Sequence, residues 1–464
     1  MVRGIGLKAV PDNSAEKTMY QHLARLVLCG LALAPIALTT GAAEPSVFPL
    51  RIDPTGRFLV DRNQRPFFIH GDTPWSLTHN LTYEEACRYM EDRHARGFNA
   101  LLVSTPDAYD PDGKASYPPD RYGHQPFRND DLTQPDEPYW AHVDRVFKKA
   151  EELGFLLLVT PAYLGCCTDG YVDLLRKNGP AKCLIYGRWI GKRYAGRPNI
   201  IWVHGGDRNP LDVAAEVRAV ARGIREAAPG HLHTAHWAGN TSAFDHFAGE
   251  GWLDFNSSYT YGPVAWRVLY DRARHPSKPT FLIETHYEND FGKRTADDVR
   301  QYPYRAVLAG AAGHLFGNKP LWFCGRGWEK ALDSPGSHYM THVRALFESR
   351  AWHALVPDAA HEIVVEGHGD FGNDDGVQAA ATRSRDTLIA FLPPQHSIGV
   401  DLERLSGDKL RGYWFDPRTG RSTEIGIIER KGLHQFKAPA GGDWVLVLDD
   451  AAANRPPPGA PVRH

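Results

Sequence analysis

Short apolar runs alternate with longer amphipathic stretches along most of the chain. After a strand-rich entry (FPLRIDPTGRFLVDRNQRPFFIHG), eight strand-like runs can be counted: PFFIH (66–70), FNALLVS (98–104), FLLLVT (155–160), NIIWVH (199–204), HLHTAH (231–236), WLDFN (252–256), PTFLIE (279–284) and GHLFGN (313–318). Between them lie stretches such as YEEACRYMEDRHARG, YWAHVDRVFKKAEELG and LDVAAEVRAVARGIREAAPG, whose apolar residues recur at three and four and whose ends carry glycine, as amphipathic helices require. Eight strands alternating with helices predict an α/β chain folded as a (β/α)8 TIM barrel over residues 44–357. The link between the fifth and sixth runs, through Thr241, Ser242, Ala243, Phe244 and Asp245, is short for a helix.

From about residue 358 the pattern changes to strand-like alternation broken by turns, in HEIVVEGHG, DTLIAFLPP, LRGYWFDPRTG and DWVLVLDD. This predicts a small antiparallel β-sandwich over 358–450. The tail, 451–464, holds Pro456, Pro457 and Pro458 and little to pack, which predicts disorder. At the other end, Leu26 to Leu38 carries no charge, follows Arg25 and runs into the small residues Thr39 to Ala43. Residues 1–43 therefore read as a signal peptide and the protein as exported, periplasmic or extracellular. The run is too short to span a bilayer, so no membrane insertion is expected.

Fifty-three Lys and Arg stand against 55 Asp and Glu. With no excess of positive charge to hold a polyanion, a nucleic-acid partner is not expected. Twelve Trp, 19 Tyr and 20 Phe are a heavy aromatic load, of the kind that grips the apolar faces of sugars as well as filling cores. A bridge from Cys183 to Cys166 or Cys167 would staple a long loop in an oxidising compartment; buried free thiols are the alternative.

Reacting groups of such a barrel lie at the carboxyl ends of its strands. The first run ends in His70, Gly71, Asp72 and Trp75, the fourth in His204 and Asp207, the fifth in His236 and Trp237, the seventh in Glu284, His286, Tyr287 and Glu288, and the eighth in Asn318. Two carboxyls facing each other across a barrel mouth suit glycoside hydrolysis, in which one acid protonates the departing oxygen and the other carboxylate attacks or activates water. Asp207 and Glu284 are 77 residues apart, the length of three βα units, so strands four and seven present them from opposite sides. Glu288 is the alternative to Glu284. Asp72 either bonds sugar hydroxyls or caps the first helix. Trp75, Trp237, Tyr259, Tyr287 and Trp322 are candidate stacking platforms. No cofactor is expected. The strand-end histidines His70, His204, His236 and His286 admit a metal-dependent amidohydrolase reading, but such sites open with two histidines one residue apart, where this chain reads His70, Gly71, Asp72. A barrel that binds carbohydrate or matrix without turnover is the third reading.

The segments PFFIHGDTPW, YWAHVDRVFKKAEELG, WVHGGDR, FLIETHYE and AGAAGHLFGN together resemble the apiosidase-like glycoside hydrolases, a bacterial barrel family. WFDPRTG and GGDWVLVLDD resemble the small β-domain of collagen-binding type that often follows it. The resemblance spans nearly all of 45–450. It implies a carbohydrate substrate and a retaining mechanism, with Asp207 as acid/base and Glu284 as nucleophile. The loops HWAGNTSAF and NSSYTYG depart from the pattern of the apiose-cleaving members, so the resemblance does not carry over the sugar.

Overall fold

The structure, a computed structural model, describes residues 46–460 apart from 167–169, 292, 371 and 395. The expected signal segment lies outside the described residues. Residues from Ser46 onward form one compact unit. A three-stranded antiparallel meander (Arg51–Ile52, Leu59–Val60, Pro66–Phe67) leads in. Eight parallel barrel strands follow: β1 (Ile69–Asp72), β2 (Ala100–Ser104), β3 (Leu156–Thr160), β4 (Ile200–Gly205), β5 (Leu232–His236), β6 (Asn256–Tyr259), β7 (Thr280–Glu284) and β8 (Gly313–Phe316). They are linked by α1 (Tyr83–Ala95), α2 (Glu137–Glu152), α3 (Val172–Tyr194), α4 (Ala214–Ala227), α5 (Val264–Arg274) and α6 (Ala296–Leu308), and α7 (Pro335–Glu348) follows β8.

Strand side chains alternate between two cores, as the period of two demands. Ile69, Leu102, Leu158, Ile201, Val203, Phe281, Ile283 and Leu315 fill the barrel interior. Leu101, Val103, Leu157, Val159, Trp202 and Leu282 face the helices. The sixth strand is displaced from its expected position: the apolar run 252–256 is irregular up to Phe255, and the strand is Asn256–Tyr259. Its polar side chains are bonded instead of packed, with Asn256 donating to Thr280 Oγ1 at 3.4 Å and Ser258 to Asp271 Oδ2 on α5 at 2.6 Å. No α-helix joins β5 to β6. A two-residue strand (Thr241–Ser242) and a single 3-10 turn (Ala243–Asp245) take its place, and the Trp237 ring fills the gap against Phe247 and His246. β5 and β6 share no strand ladder, so the barrel is nearly closed. That seam is tied by the Asp254 and Phe255 amides, both donating to His233 O, by Thr234 Oγ1 donating to Phe255 O, and by Ser257 Oγ donating to Ala235 O.

The C-terminal region is the expected antiparallel sandwich, a six-stranded sheet facing a three-stranded one. Its first strand, Leu355–Pro357, begins just ahead of the change in pattern at 358. Ile389, Phe391, Phe415 and Val447 extend the helix-layer core of the barrel, and two buried ion pairs pin the seam: Arg300 to Asp443 at 2.6 Å and Arg350 to Asp449 at 2.7 Å. The tail expected to be disordered is packed as far as residue 460. Pro456 O accepts from Arg350, Pro458 O accepts from Ser422, and the Gly459 amide donates to Ser349 Oγ. Backbone carbonyls, which composition does not register, give it partners. Cys183 is a buried free thiol donating to Leu175 O, its thiol pushed up to about 12 by burial, so the staple to 166 or 167 is not formed; Cys167 lies outside the described residues. Among the described residues no helix is long and apolar enough to cross a membrane.

Candidate active site

Two local devices bring Asp207 and Glu284 into the mouth. Beyond β4, Gly205, Gly206 and Asp207 have φ of +101°, +112° and +51°. A Cβ on Gly205 would stand 2.3 Å from His236 O, and one on Gly206 would stand 2.2 Å from the Tyr163 ring. Only glycines allow this tight left-handed passage, and they set Asp207 facing inward. On β7, Phe281 and Ile283 already occupy the interior, so strict alternation would send Glu284 outward. The register against β6 shifts between Ser258 and Tyr259, and this bulge places Glu284 opposite Tyr259. Re-aiming of a side chain is a recurrent use of such bulges.

His236, at the end of β5, stands between the two acids. Its Nδ1 accepts from the Asp207 amide at 3.1 Å, which leaves the proton of the neutral ring on Nε2, 3.1 Å from Glu284 Oε2. Tyr287 donates to the same oxygen at 2.8 Å and Tyr261 to Glu284 Oε1 at 3.1 Å. Glu284 thus sits in three donors that favour a carboxylate. Asp207 accepts from Tyr163 through Oδ2 at 2.7 Å, while its buried Oδ1 has no hydrogen-bond partner. Burial, then the charge of Glu284, pushes Asp207 up to about 6. Burial pulls the His236 imidazole down, but its bond to Glu284 and the two acidic charges outweigh that and raise it above its ordinary value. Burial and the same charges hold the Tyr163, Tyr259, Tyr261 and Tyr287 hydroxyls above the usual phenol range, so these phenols keep their protons as donors. One oxygen from each acid and one nitrogen of His236 lie within 4.8 Å of one another, and among the described residues this is the set whose spacing suits a metal ion.

Above the acids opens a cavity of about 520 Å³, walled by Trp75, Tyr109, Tyr163, Tyr259, Tyr261, Tyr287 and Trp322, with Asp107, Cys166, His286 and Phe291 further round. That volume lies in the range of small-molecule sites. The Trp75 ring stands edge-on to His236 at 5.4 Å, its indole N–H donating to the Tyr287 hydroxyl, and Trp322 is edge-on to Tyr109 at 5.0 Å.

Of the residues expected from sequence, the structure gathers Asp207, Glu284, His236, Trp75, Tyr259, Tyr287 and Trp322. It places five elsewhere. His70 and His204 lie on outward-facing positions, bonded to His314 and His233 at 2.9 Å, and burial drives both rings below their ordinary value, His204 to about 3. Asp72, also outward, accepts from Tyr89 and Arg93 of α1. Trp237 fills the gap left by the missing helix, its indole N–H donating to Ala243 O. Asn318 donates to Glu288 Oε2, and Glu288 also accepts from Ser334 and the Gly336 amide at the start of α7, so it does not replace Glu284. Sequence reasoning missed Tyr163, Tyr261, Tyr109 and Asp107. The first two lie in loops just past β3 and β6, where an aromatic beyond a strand end was the available signal. Asp107 is buried in the cavity wall; burial pushes it up to about 7, against the Ser76 hydroxyl and the amides of Ala108 and Tyr109.

Comparison with known proteins agrees with this architecture. Residues 53–354 match the family described as "Apiosidase-like, catalytic domain", and residues 356–449 match "Putative collagen-binding domain of a collagenase". A crystal structure of a glycoside hydrolase family 5 protein from Bacteroides vulgatus ATCC 8482 superposes with a TM-score of 0.78 at 24% identity, covering 88% of this chain and 96% of that one. A second structure, described as a glycoside hydrolase, gives 0.75 at 25% identity, covering 88% and 99%. No curated protein sequence matches. Fold and family match are therefore those of a glycoside hydrolase barrel enzyme. Within that class, the chain belongs to the apiosidase-like family.

Proposed function

We propose that the protein is an exported retaining glycoside hydrolase, acting on a plant or microbial polysaccharide or oligosaccharide by double displacement. The reading rests on one observation: an Asp207 oxygen and a Glu284 oxygen lie within 4.8 Å, with opposite surroundings. Retaining pairs stand about 5–5.5 Å apart, whereas inverting pairs leave about 6.5–9.5 Å for a water. Glu284, oriented by three donors, attacks the anomeric carbon. Asp207, holding its proton to about pH 6, delivers it to the departing oxygen. After the aglycone leaves, Asp207 takes a proton from water, which opens the glycosyl–Glu284 ester with net retention. Aromatic walls stack on the sugar and exclude water.

Reducing-sugar release from a panel of plant and microbial polysaccharides, followed by NMR of the first-formed anomer, tests this. Retention supports the pair as assigned; inversion removes Glu284 as nucleophile. The spacing of Asp207, His236 and Glu284 favours a second reading, a metal-dependent hydrolase. Against it, Glu284 already accepts three donors and His236 Nδ1 is occupied by the Asp207 amide. Loss of activity on chelation, restored by a divalent cation, would establish the metal reading. Residues 1–43 are the proposed export signal, which the N-terminus of secreted material checks.

A further inference from the structure

A second cavity is built from the same two loops as the catalytic one. The loop after β2 doubles back through an antiparallel bridge between Tyr109 and Ala115, which brings Tyr117 into place. The near parts of the loops after β2 and β3, at Asp107, Tyr109, Tyr163 and Cys166, line the catalytic cavity. Their far parts, at Tyr117, Gly170 and Tyr171, line the second, whose volume is about 300 Å³. Three hydrogen bonds hold the partition. The Tyr171 amide donates to Tyr163 O at 2.7 Å, the Tyr171 hydroxyl to Asp107 O at 2.7 Å, and the Tyr117 hydroxyl to Gly170 O at 2.8 Å.

The floor of this cavity is fixed by packing. Phe127 is buried edge-on to Tyr186 at 5.3 Å, and the carbonyl of Pro126 accepts from the Trp140 indole at 2.9 Å. At the rim, the Asp130 carboxylate pairs with Lys177 of α3 at 2.9 Å, and its carbonyl accepts from Asn178 at 2.9 Å. The Tyr117 ring is edge-on to Tyr171 at 5.3 Å and 41% exposed. Its φ of +49° is left-handed, a conformation that a bulky residue keeps only where its surroundings hold it.

These walls select a class of ligand. Tyr117, Phe127 and Tyr171 offer ring surface of the kind that meets the apolar faces of a sugar. The rim charges are already answered, Lys177 by Asp130 and Asp173 by Arg176 at 2.6 Å, so the cavity suits an uncharged ligand. Gln125 adds an amide group for hydroxyls. Resting on the glycoside hydrolase reading, we propose that this cavity is a distal subsite for a neutral sugar unit of the same glycan whose linkage is cleaved between Asp207 and Glu284. The partition then separates the reacting unit from an anchoring unit, and the enzyme favours a chain long enough to occupy both cavities over a glycoside of one sugar.

Native gels cast with soluble pectin, arabinoxylan or galactomannan, together with rates on the polymer that is hydrolysed, test the subsite on the full chain. At least one polymer is expected to retard the Glu284→Gln protein. Adding Tyr117→Ala, or Leu174→Trp to fill the cavity from α3, should weaken that retention about tenfold. With Glu284 intact, each substitution should raise KM on the hydrolysed polymer about tenfold at unchanged kcat, because the anchoring contact is the same in ground and transition states. Each should leave kcat/KM on the nitrophenyl glycoside of the released sugar within about twofold. Equal losses on polymer and nitrophenyl glycoside would reduce the cavity to a support for the partition and overturn the subsite. Retention unchanged in both variants, or no retention by any of the three polymers, would overturn it as well. Retention that both substitutions abolish in a protein hydrolysing none of the polymers would keep the glycan site and end the glycosidase reading alone.

Discussion

Buried acids at the two ends of this molecule's core are treated in opposite ways. At the seam with the sandwich, Asp443 and Asp449 are each met by an arginine through paired N–H groups. At the barrel mouth, Asp207 and Glu284 meet no lysine or arginine among the described residues; phenol hydroxyls and one imidazole are their partners. An arginine would neutralise an acid permanently and hold it ionised, as suits a fastening. Neutral donors leave Asp207 subject to its burial and to the charge of Glu284, which together push its carboxyl up to about 6. The contrast separates acids that fasten the two domains from the acids to which the proposed chemistry is assigned.

The sharpest way to break this comparison is Glu284→Gln, which keeps shape and loses the nucleophile. Turnover is expected to fall by about 10⁴-fold or more with an unchanged circular dichroism spectrum. Wild-type rates in that variant would end the assignment. Asp207→Ala is expected to lose about 10²–10⁴-fold on natural linkages and far less on a nitrophenyl glycoside, whose leaving group needs no proton. Azide should restore its second step with retained configuration. At the seam the expectation reverses. Arg300→Ala leaves Asp443 buried without its cation, at a cost of about 3–5 kcal/mol in denaturant unfolding, while kcat of the folded fraction stays within twofold.

Smaller effects follow from protonation. Asp207 must be protonated to act as acid, so kcat/KM on an unactivated substrate should fall as pH rises through about 6, and this limb should vanish in Asp207→Ala assayed on the activated one. The same shift bears on stability. Its folded pKa lies above the unfolded value of 3.8, so between 3.8 and about 6 the unfolded chain releases a proton that the folded chain keeps. Stability is full below that window and declines through it. Asp207→Asn removes the penalty and is expected to stabilise the protein by up to about 3 kcal/mol at pH 7.5, with no gain below pH 4. A gain that persists at low pH would assign the effect to packing instead.

Seven barrel strands and the two acids were legible in the sequence because buried parallel strands are continuous apolar runs and acids directly after them stand out. The sixth strand was misplaced because Asn256, Ser257 and Ser258 are satisfied by hydrogen bonds, which hydrophobicity does not record. The errors in the site list are largely errors of parity. With Ile201 and Val203 inside, His204 faces the helices, and with Ile69 inside so do His70 and Asp72. Glu284 shows the limit of that correction, since strict parity would have discarded it and only the bulge on β7 returns it to the mouth. Tyr163 and Tyr261 depend on how their loops fold back, which local sequence does not reveal.

The missing helix between β5 and β6 bears on how the molecule opens. Every other neighbouring pair of barrel strands is joined by a backbone ladder, whereas here closure depends largely on two hydroxyls and the amides that donate to His233 O. Such a cylinder behaves as a rolled sheet with a latch. In native-state hydrogen exchange, the amides of 241–255 should therefore report a low-energy opening well before global unfolding, with Asp254 and Phe255 exchanging together as the latch releases.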